Sequence, residues 1–324
     1  MTYRPDFEPL YNKELFEVDK QYVTESCIAF EHVKGLLIQR TGYIHSKFNN
    51  RTPFLWEVWD ALIKQGRITR RPQASQQART DCSAMAVSTL IRDLLCKEAI
   101  YFGDNERILT PHPAMIYAIA RNEIGGGRLG AIPGTYLEWI IRALKEYGVP
   151  YTVDIPYEYS NETLELFDKH PEVYRQFIKK VPFYPIELIG LGDDGYIKKP
   201  YAVDAIRHIV IEQAKRLLLA GGMVLCSGTQ DVKIVNTGKE LLWTLYHRAC
   251  YHMTYITDYD PVTNRFARFN IWGSEGEYKS PDELNNPSGM AWCTEQVLLQ
   301  EMQDSGFRLM GFMNAKSKLF ESQR

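Results

Sequence analysis

Apolar positions recur at three- and four-residue steps through the first two thirds of this chain and alternate in the last third. The first spacing buries one face of a helix, the second one face of a strand. Over 53–64 the apolar residues are Leu55, Val58, Trp59, Leu62 and Ile63, and the basic connector 66–72 ends the helix. The clearest helix spans 82–96, where Ala84, Val87, Leu90, Ile91, Leu94 and Leu95 line one side and Asp81 stands at the N-cap position. Further helices are predicted over 113–121, over 135–147 with Gly148 as its stop, over 161–178, and over 205–219 ahead of Gly221 and Gly222. Val33–Ile38 fits a strand or a short helix. Strands are predicted over 223–226, 248–259 and 265–272. Helices that lead and strands that follow predict an α+β fold.

Composition adds limits. At 324 residues, 45% apolar and 24% charged, the chain can bury a sizeable core. A net charge of −2 and a pI near 6.4 give no footprint for nucleic acid or an acidic membrane. The first twenty residues mix Pro, Asp, Glu and Lys, and no apolar run reaches the length of a membrane span. The expectation is a cytoplasmic protein without a signal peptide. Cys27, Cys82, Cys96, Cys226, Cys250 and Cys293 are scattered without CxxC spacing, which predicts reduced thiols and no metal site. The glycine-rich loop 125–134 lacks the Gly-Lys-Ser ending of a phosphate loop, and no cofactor is expected.

Candidate chemistry begins at Cys82. A cysteine opening an apolar helix sits where amide dipoles favour a thiolate. The bland alternative is a core cysteine, and His252 alone would likewise be a structural histidine. The strands 248–259 and 265–272 are joined by a stretch of turn formers near Pro261, so residues whose numbers sum to 522 are expected to face each other, among them His252 and Asn270. Opposed Cβ atoms lie roughly 4.5–5.5 Å apart, within reach of a hydrogen bond from imidazole to amide. Trp272, two positions on, would cover that contact. An amide holding one ring nitrogen leaves the other free as a base for a thiol. A slip of one residue would put His252 and Asn270 on opposite faces.

Together, Gln76 ahead of Cys82-Ser83-Ala84, His252-Met253-Thr254-Tyr255-Ile256, and Asn270-Ile271-Trp272-Gly273 resemble the papain-like cysteine peptidases over about residues 72–280. The stretch from Gly126 through Gly134-Thr135-Tyr136 to Tyr147-Gly148 resembles that family's cleft loop and following helix. The resemblance implies a helical lobe carrying the nucleophile helix and a C-terminal antiparallel β lobe. It implies Cys82 as nucleophile, His252 as base and then acid, Asn270 as orienter, and Gln76 with the Cys82 amide as oxyanion hole. Gln77 competes with Gln76 for that place. Gly126 and Gly134, with Trp272, are the implied substrate contacts.

Cys82 and His252 are 170 residues apart, more than the family's about 130–150, which an insertion at about 151–200 would explain. The domain expectation is therefore an extension over 1–71, a papain-like domain over 72–285, and a C-terminal segment over 286–324. The extension would inhibit, dock or join a larger assembly. Ser83 in place of an aromatic residue, Arg79 in place of a cysteine, and a missing second Trp-Gly point away from secreted members and toward a bacterial or phage branch. The implied activity is cleavage of peptide or isopeptide bonds in a peptide or protein substrate. The alternative is a structural or binding component, for instance of a phage particle.

Overall fold

The computed structural model describes residues 21–23, 25–73, 76–77, 81–103, 108–130, 134–148, 151–178, 186–192, 204–273, 278–282, 286–303 and 307–314. Nine α-helices are described: α1 (Phe30–Lys47), α2 (Leu55–Lys64), α3 (Cys82–Tyr101), α4 (Pro113–Ala118), α5 (Leu137–Tyr147), α6 (Asn161–Lys169), α7 (Pro171–Arg175), α8 (Asp204–Leu219) and α9 (Glu295–Glu301). Helix α4 runs on as a π-helical turn, Ile119–Ile124. The strands are β1 (Cys27–Ala29), β2 (Ile186–Gly190), β3 (Met223–Asn236), β4 (Leu241–Asp260), β5 (Arg265–Phe269), β6 (Met290–Thr294) and β7 (Arg308–Asn314). The protein is α+β. No helix among the described residues is long and apolar enough to cross a membrane.

Several elements depart from the pattern reading for local reasons. Val33–Ile38 lies inside α1. The helix expected over 161–178 breaks at His170, because Pro171 has no N–H to give the preceding turn. Helix α3 continues to Tyr101, past the predicted end at residue 96 and through Lys97 and Glu98. Lys97 is paired with Asp258 at 2.9 Å, and Glu98 with Arg40, so both charges stay inside the protein. The strand expected over 223–226 runs to Asn236, and β4 begins at Leu241 rather than 248.

The described strands form one sheet in the order β1-β2-β7-β3-β4-β5-β6, in which neighbours are antiparallel except for β1 with β2. The early part of β4 also meets β6 at Leu242↔Trp292, so β4, β5 and β6 close on themselves. Strand β1 from the N-terminal stretch, β2 from the 151–200 stretch and β7 from the C-terminal stretch share this one sheet. Strands thus occur early as well as late, and α9 stands between β6 and β7.

Alternation along the sheet feeds two cores. Met223, Leu225, Met253, Tyr255, Ala267 and Phe269 pack with α2, α3, α4 and α5 on one face. Val224, Cys226, Ile256 and Phe266 pack with α1, α8 and α9 on the other. Helix α3 buries every residue except Cys82 and Arg92. Each aliphatic side chain so buried contributes roughly 1.5–3 kcal/mol, which makes α3 the strut on which the first core is built.

The β4–β5 register corrects the pairing expected from the turn. Next to the turn the pairs sum to 525, as in Asp260↔Arg265 and Tyr259↔Phe266. The register shifts between Ile256 and Asp258, leaving Thr257 as the extra residue, and beyond it the sum is 524, as in Ile256↔Arg268 and Tyr255↔Phe269. An odd sum would have put His252 and Asn270 on opposite faces. The bulge at Thr257 restores the even one and returns them to a common face. Continued from Tyr255, this register sets Trp272, not Asn270, opposite His252.

Candidate functional site

Cys82 is the first residue of α3 and is half-buried. The helix lies along β4 in a fixed direction: the Tyr255 hydroxyl donates to Asp93 at 3.0 Å, and Lys97 reaches Asp258. Moving back along α3 from Lys97 to Asp93 therefore moves back along β4 from 258 to 255. Cys82 lies about three turns further back, at ~1.5 Å per residue, toward the end of β4 that carries His252. Asp81 makes no side-chain cap of the helix. Its buried carboxylate instead accepts from the Tyr159 hydroxyl at 2.5 Å.

The other thiols have a different environment. Burial pushes Cys27, Cys96 and Cys226 up to about 12, and Cys293 is pushed up as well. All four belong to or pack on the two cores, so they are held as inert thiols. The side chain of Cys250 lies outside the described residues.

His252 is buried on β4, facing Gly228 of β3. Its ring stacks on Trp272, with centroids 4.3 Å apart and planes 18° from parallel. Burial, and secondarily the positive charge of Arg268, push the imidazole down to about 3, so the ring is neutral near pH 7 and its protonation is disfavoured. Arg268 is held by Glu301 of α9, with nitrogen–oxygen distances of 2.5 and 3.1 Å, and donates through Nε to Thr254. His252, Thr254 and Arg268 lie on the sheet face directed at the second core. Met253 and Tyr255 point to the face that α3 covers.

Asn270 is buried just past β5, and its backbone N–H donates to Gly289 at 2.9 Å. Its side-chain oxygen, expected on the imidazole, accepts the Trp272 backbone N–H at 2.5 Å. This is an Asx turn, in which the asparagine side chain closes onto the N–H two residues on. Its Nδ2 is buried with no hydrogen-bond partner among the described residues. Asn270 therefore shapes the turn that delivers Trp272 to the imidazole. The tendency of Asn to bond the N–H at i+2 was the sequence signal for this role.

Trp272 also joins His252 to the Gln76–Gln77 segment that leads toward Cys82. It forms an antiparallel bridge with Gln76, and the Gln77 N–H donates to the Ile271 carbonyl at 2.8 Å. Gly273 (φ +96°) lies beneath the Gln76 side chain, where an added Cβ would sit 3.3 Å from both Cδ and Oε1. Gln76, Trp272 and His252 thus form a continuous set. Gln77 keeps its place as the competing amide, one residue along the same anchored segment. Residues 78–80, with Arg79 among them, lie outside the described residues.

The two glycines separate. Gly134 is buried and held on both sides: its N–H donates to the Tyr117 hydroxyl at 3.0 Å, and its carbonyl accepts from Arg121 at 2.6 Å. Arg121 also grips the Gly130 carbonyl and Asp168, which sets the loop's path. Gly126 (φ +59°) is an exposed turn residue facing open space. No cluster of three or more His, Cys, Asp or Glu able to hold a metal occurs among the described residues.

A concavity of about 580 Å³, lined in part by Phe54, Trp56, Trp292, Glu240 and Arg265, lies at the end of β5 away from Asn270. Its charged side chains are already paired, Arg51 with Glu57 at 2.6 Å and Arg265 with Glu240 at 2.9 Å, and it holds no nucleophile.

No protein-family model matches the chain, and no curated protein matches it. Among solved structures, it is similar to xylellain, a cysteine protease from Xylella fastidiosa, at 14% identity and a TM-score of 0.45, over 75% of this chain and 83% of that one. This is a distant likeness of shape, too loose to transfer a mechanism.

Proposed function

We propose that this protein is a cysteine-dependent hydrolase of peptide or isopeptide bonds, resembling the papain-like peptidases. Cys82 attacks the carbonyl carbon while neutral His252 takes the thiol proton. The tetrahedral oxyanion is met by the Cys82 backbone N–H and the Gln76 amide. His252 then returns the proton to the leaving amine, and the resulting thioester is hydrolysed by a water that His252 activates. Trp272 keeps water from the imidazole. Asn270 holds Trp272 in place through its Asx turn.

The observation that carries this reading is the set Gln76–Trp272–His252, three residues remote in sequence and joined by a strand bridge and a ring stack, with Gln76 in the segment that leads into Cys82. Gly134 and Gly126 are the proposed substrate contacts. The structure-bearing alternative, a component of a larger assembly docking through residues 1–71, draws on the same fold with the cleft idle.

The test is cleavage of a denatured-protein or peptide library by the wild type and by Cys82→Ala, with folding checked by circular dichroism. The expected outcome is thiol-dependent cleavage that the variant loses by at least ~10³-fold. Equal cleavage by the two proteins, or none by the wild type, would sink the hydrolase reading.

A further inference from the structure

The residue before the candidate nucleophile is a buried carboxylate, and an element about eighty residues later holds it. Asp81 is fully buried, and Tyr159 donates its hydroxyl to Oδ2 at 2.5 Å. Tyr159 is itself fixed on both sides. The Tyr157 carbonyl is hydrogen-bonded to His112 Nε2 at 2.9 Å, the Glu158 carbonyl accepts from Thr163 at 2.6 Å, and Ser160 caps α6 through the Thr163 N–H at 3.1 Å. The segment 151–178 is further strapped to the chain ahead of α4 by the Pro111↔Tyr151 bridge and the Thr152 N–H to Thr110 bond. Its aromatic side chains Tyr157, Phe167 and Tyr174 pack edge-on and tilted against one another. Tyr159 is therefore presented to Asp81 by a preorganised frame.

A carboxylate in this position bears directly on a thiol next in the chain. Both would place negative charge at the same end of α3, where exposed backbone N–H groups can stabilise it. Asp81 does not use its side chain to cap the helix, and the Tyr159 hydroxyl is a group that holds its carboxylate in place. Tyr117 of α4 is pushed up by burial, opposed by Arg121, and pushed further by Asp168 and Asp81, and Arg121 lies over its ring at 5.2 Å. The same Tyr117 hydroxyl accepts the Gly134 N–H, so Asp81, the cleft loop and the 151–178 segment meet at one place.

We propose that Asp81 and Tyr159 are positioning residues, a buried carboxylate–phenol clasp through which the 151–178 segment sets the reactivity of Cys82. The clasp rests on the reading of Cys82 as the nucleophile and assigns a role to the segment that looked like an inserted excursion. It keeps the start of α3 in place and keeps a competing negative charge beside the thiol. The thiolate is thereby restrained until a ligand in the cleft moves Tyr159 or the carboxylate.

The test is the pH dependence of Cys82 alkylation by iodoacetamide, read by peptide mass on the intact protein, for the wild type, Asp81→Asn, Tyr159→Phe and the double variant. Asp81→Asn is expected to lower the midpoint by about half a pH unit or more, roughly a threefold gain in rate at neutral pH. Tyr159→Phe is expected to move the midpoint in the wild-type background and to do nothing more in the Asp81→Asn background. Superimposable profiles for Asp81→Asn or Tyr159→Phe and the wild type would overturn the clasp, and so would a Tyr159→Phe effect that persists unchanged in the double variant. Alkylation needs no turnover. Failure of the hydrolase reading, seen as cleavage unaffected by Cys82→Ala, is thus a separate result.

Discussion

The buried, neutral imidazole of His252 makes a quantitative claim about acid stability. Its folded value is pushed down to about 3 by burial and by Arg268, against 6.5 for an ordinary histidine. A depressed value means that protonation is disfavoured in the folded protein. The contribution is complete above the unfolded value and is lost as the pH falls from 6.5 toward 3. At 1.36 kcal/mol per unit, lowering the pH from 7 to 4.5 should cost about 2.5 kcal/mol through this one group. The assay is urea unfolding of the wild type and His252→Gln at both pH values, which cancels the carboxylates common to the two proteins. With urea slopes of ~1–3 kcal/mol/M, the gap between the two midpoints should move in favour of the variant by roughly 1–2 M on acidification. A constant gap would refute the reasoning. An imidazolium paired with a thiolate would raise the folded value and reverse the sign, so the same experiment separates a neutral Cys82–His252 pair from an ion pair.

Two further outcomes follow from particular contacts. Glu301→Gln leaves the fully buried Arg268 without its counter-charge and should lose ~3–5 kcal/mol in thermal or urea denaturation; a loss below ~1 kcal/mol would mean that the surroundings of Arg268 are far wetter than its burial implies. Gly273→Ala places a Cβ at φ +96° and 3.3 Å from the Gln76 side chain, so it should cost ~1–3 kcal/mol of stability and lower kcat/KM by displacing Gln76. A stable variant with undiminished cleavage would remove Gln76 from the site and leave Gln77 as the amide.

Parts of this site were legible because they are local. The start of α3 at Cys82 follows from the three- and four-residue apolar steps, and the helix stop at Gly148 (φ +83°) from glycine's freedom at positive φ. The common face of His252, Asn270 and Trp272 was also expected, though through a pairing that the register corrects. Alternation carries no mark of a single extra residue, so the bulge at Thr257 and the shift from 525 to 524 were invisible. The expected hydrogen bond from Asn270 to the imidazole depended on that pairing. Once the register moved, the asparagine closed onto Trp272 instead.

Charged residues inside the protein were illegible for a related reason. The helix predicted over 82–96 stops short of Lys97 and Glu98, and Asp81 reads as its cap, because a sequence shows charge without showing its partner. Their counterparts, Asp258, Arg40 and Tyr159, lie between fifty-eight and 161 residues away. What the sequence determined by itself was periodicity and order: an apolar helix opened by Cys82, then His252 and Asn270 in alternating segments. What only the tertiary structure decided was register, the pairing of buried charge, and the use of each polar side chain. Each of these is settled by whichever distant group the fold brings within hydrogen-bond reach, where leaving a buried polar atom unmatched costs more than any local preference can return.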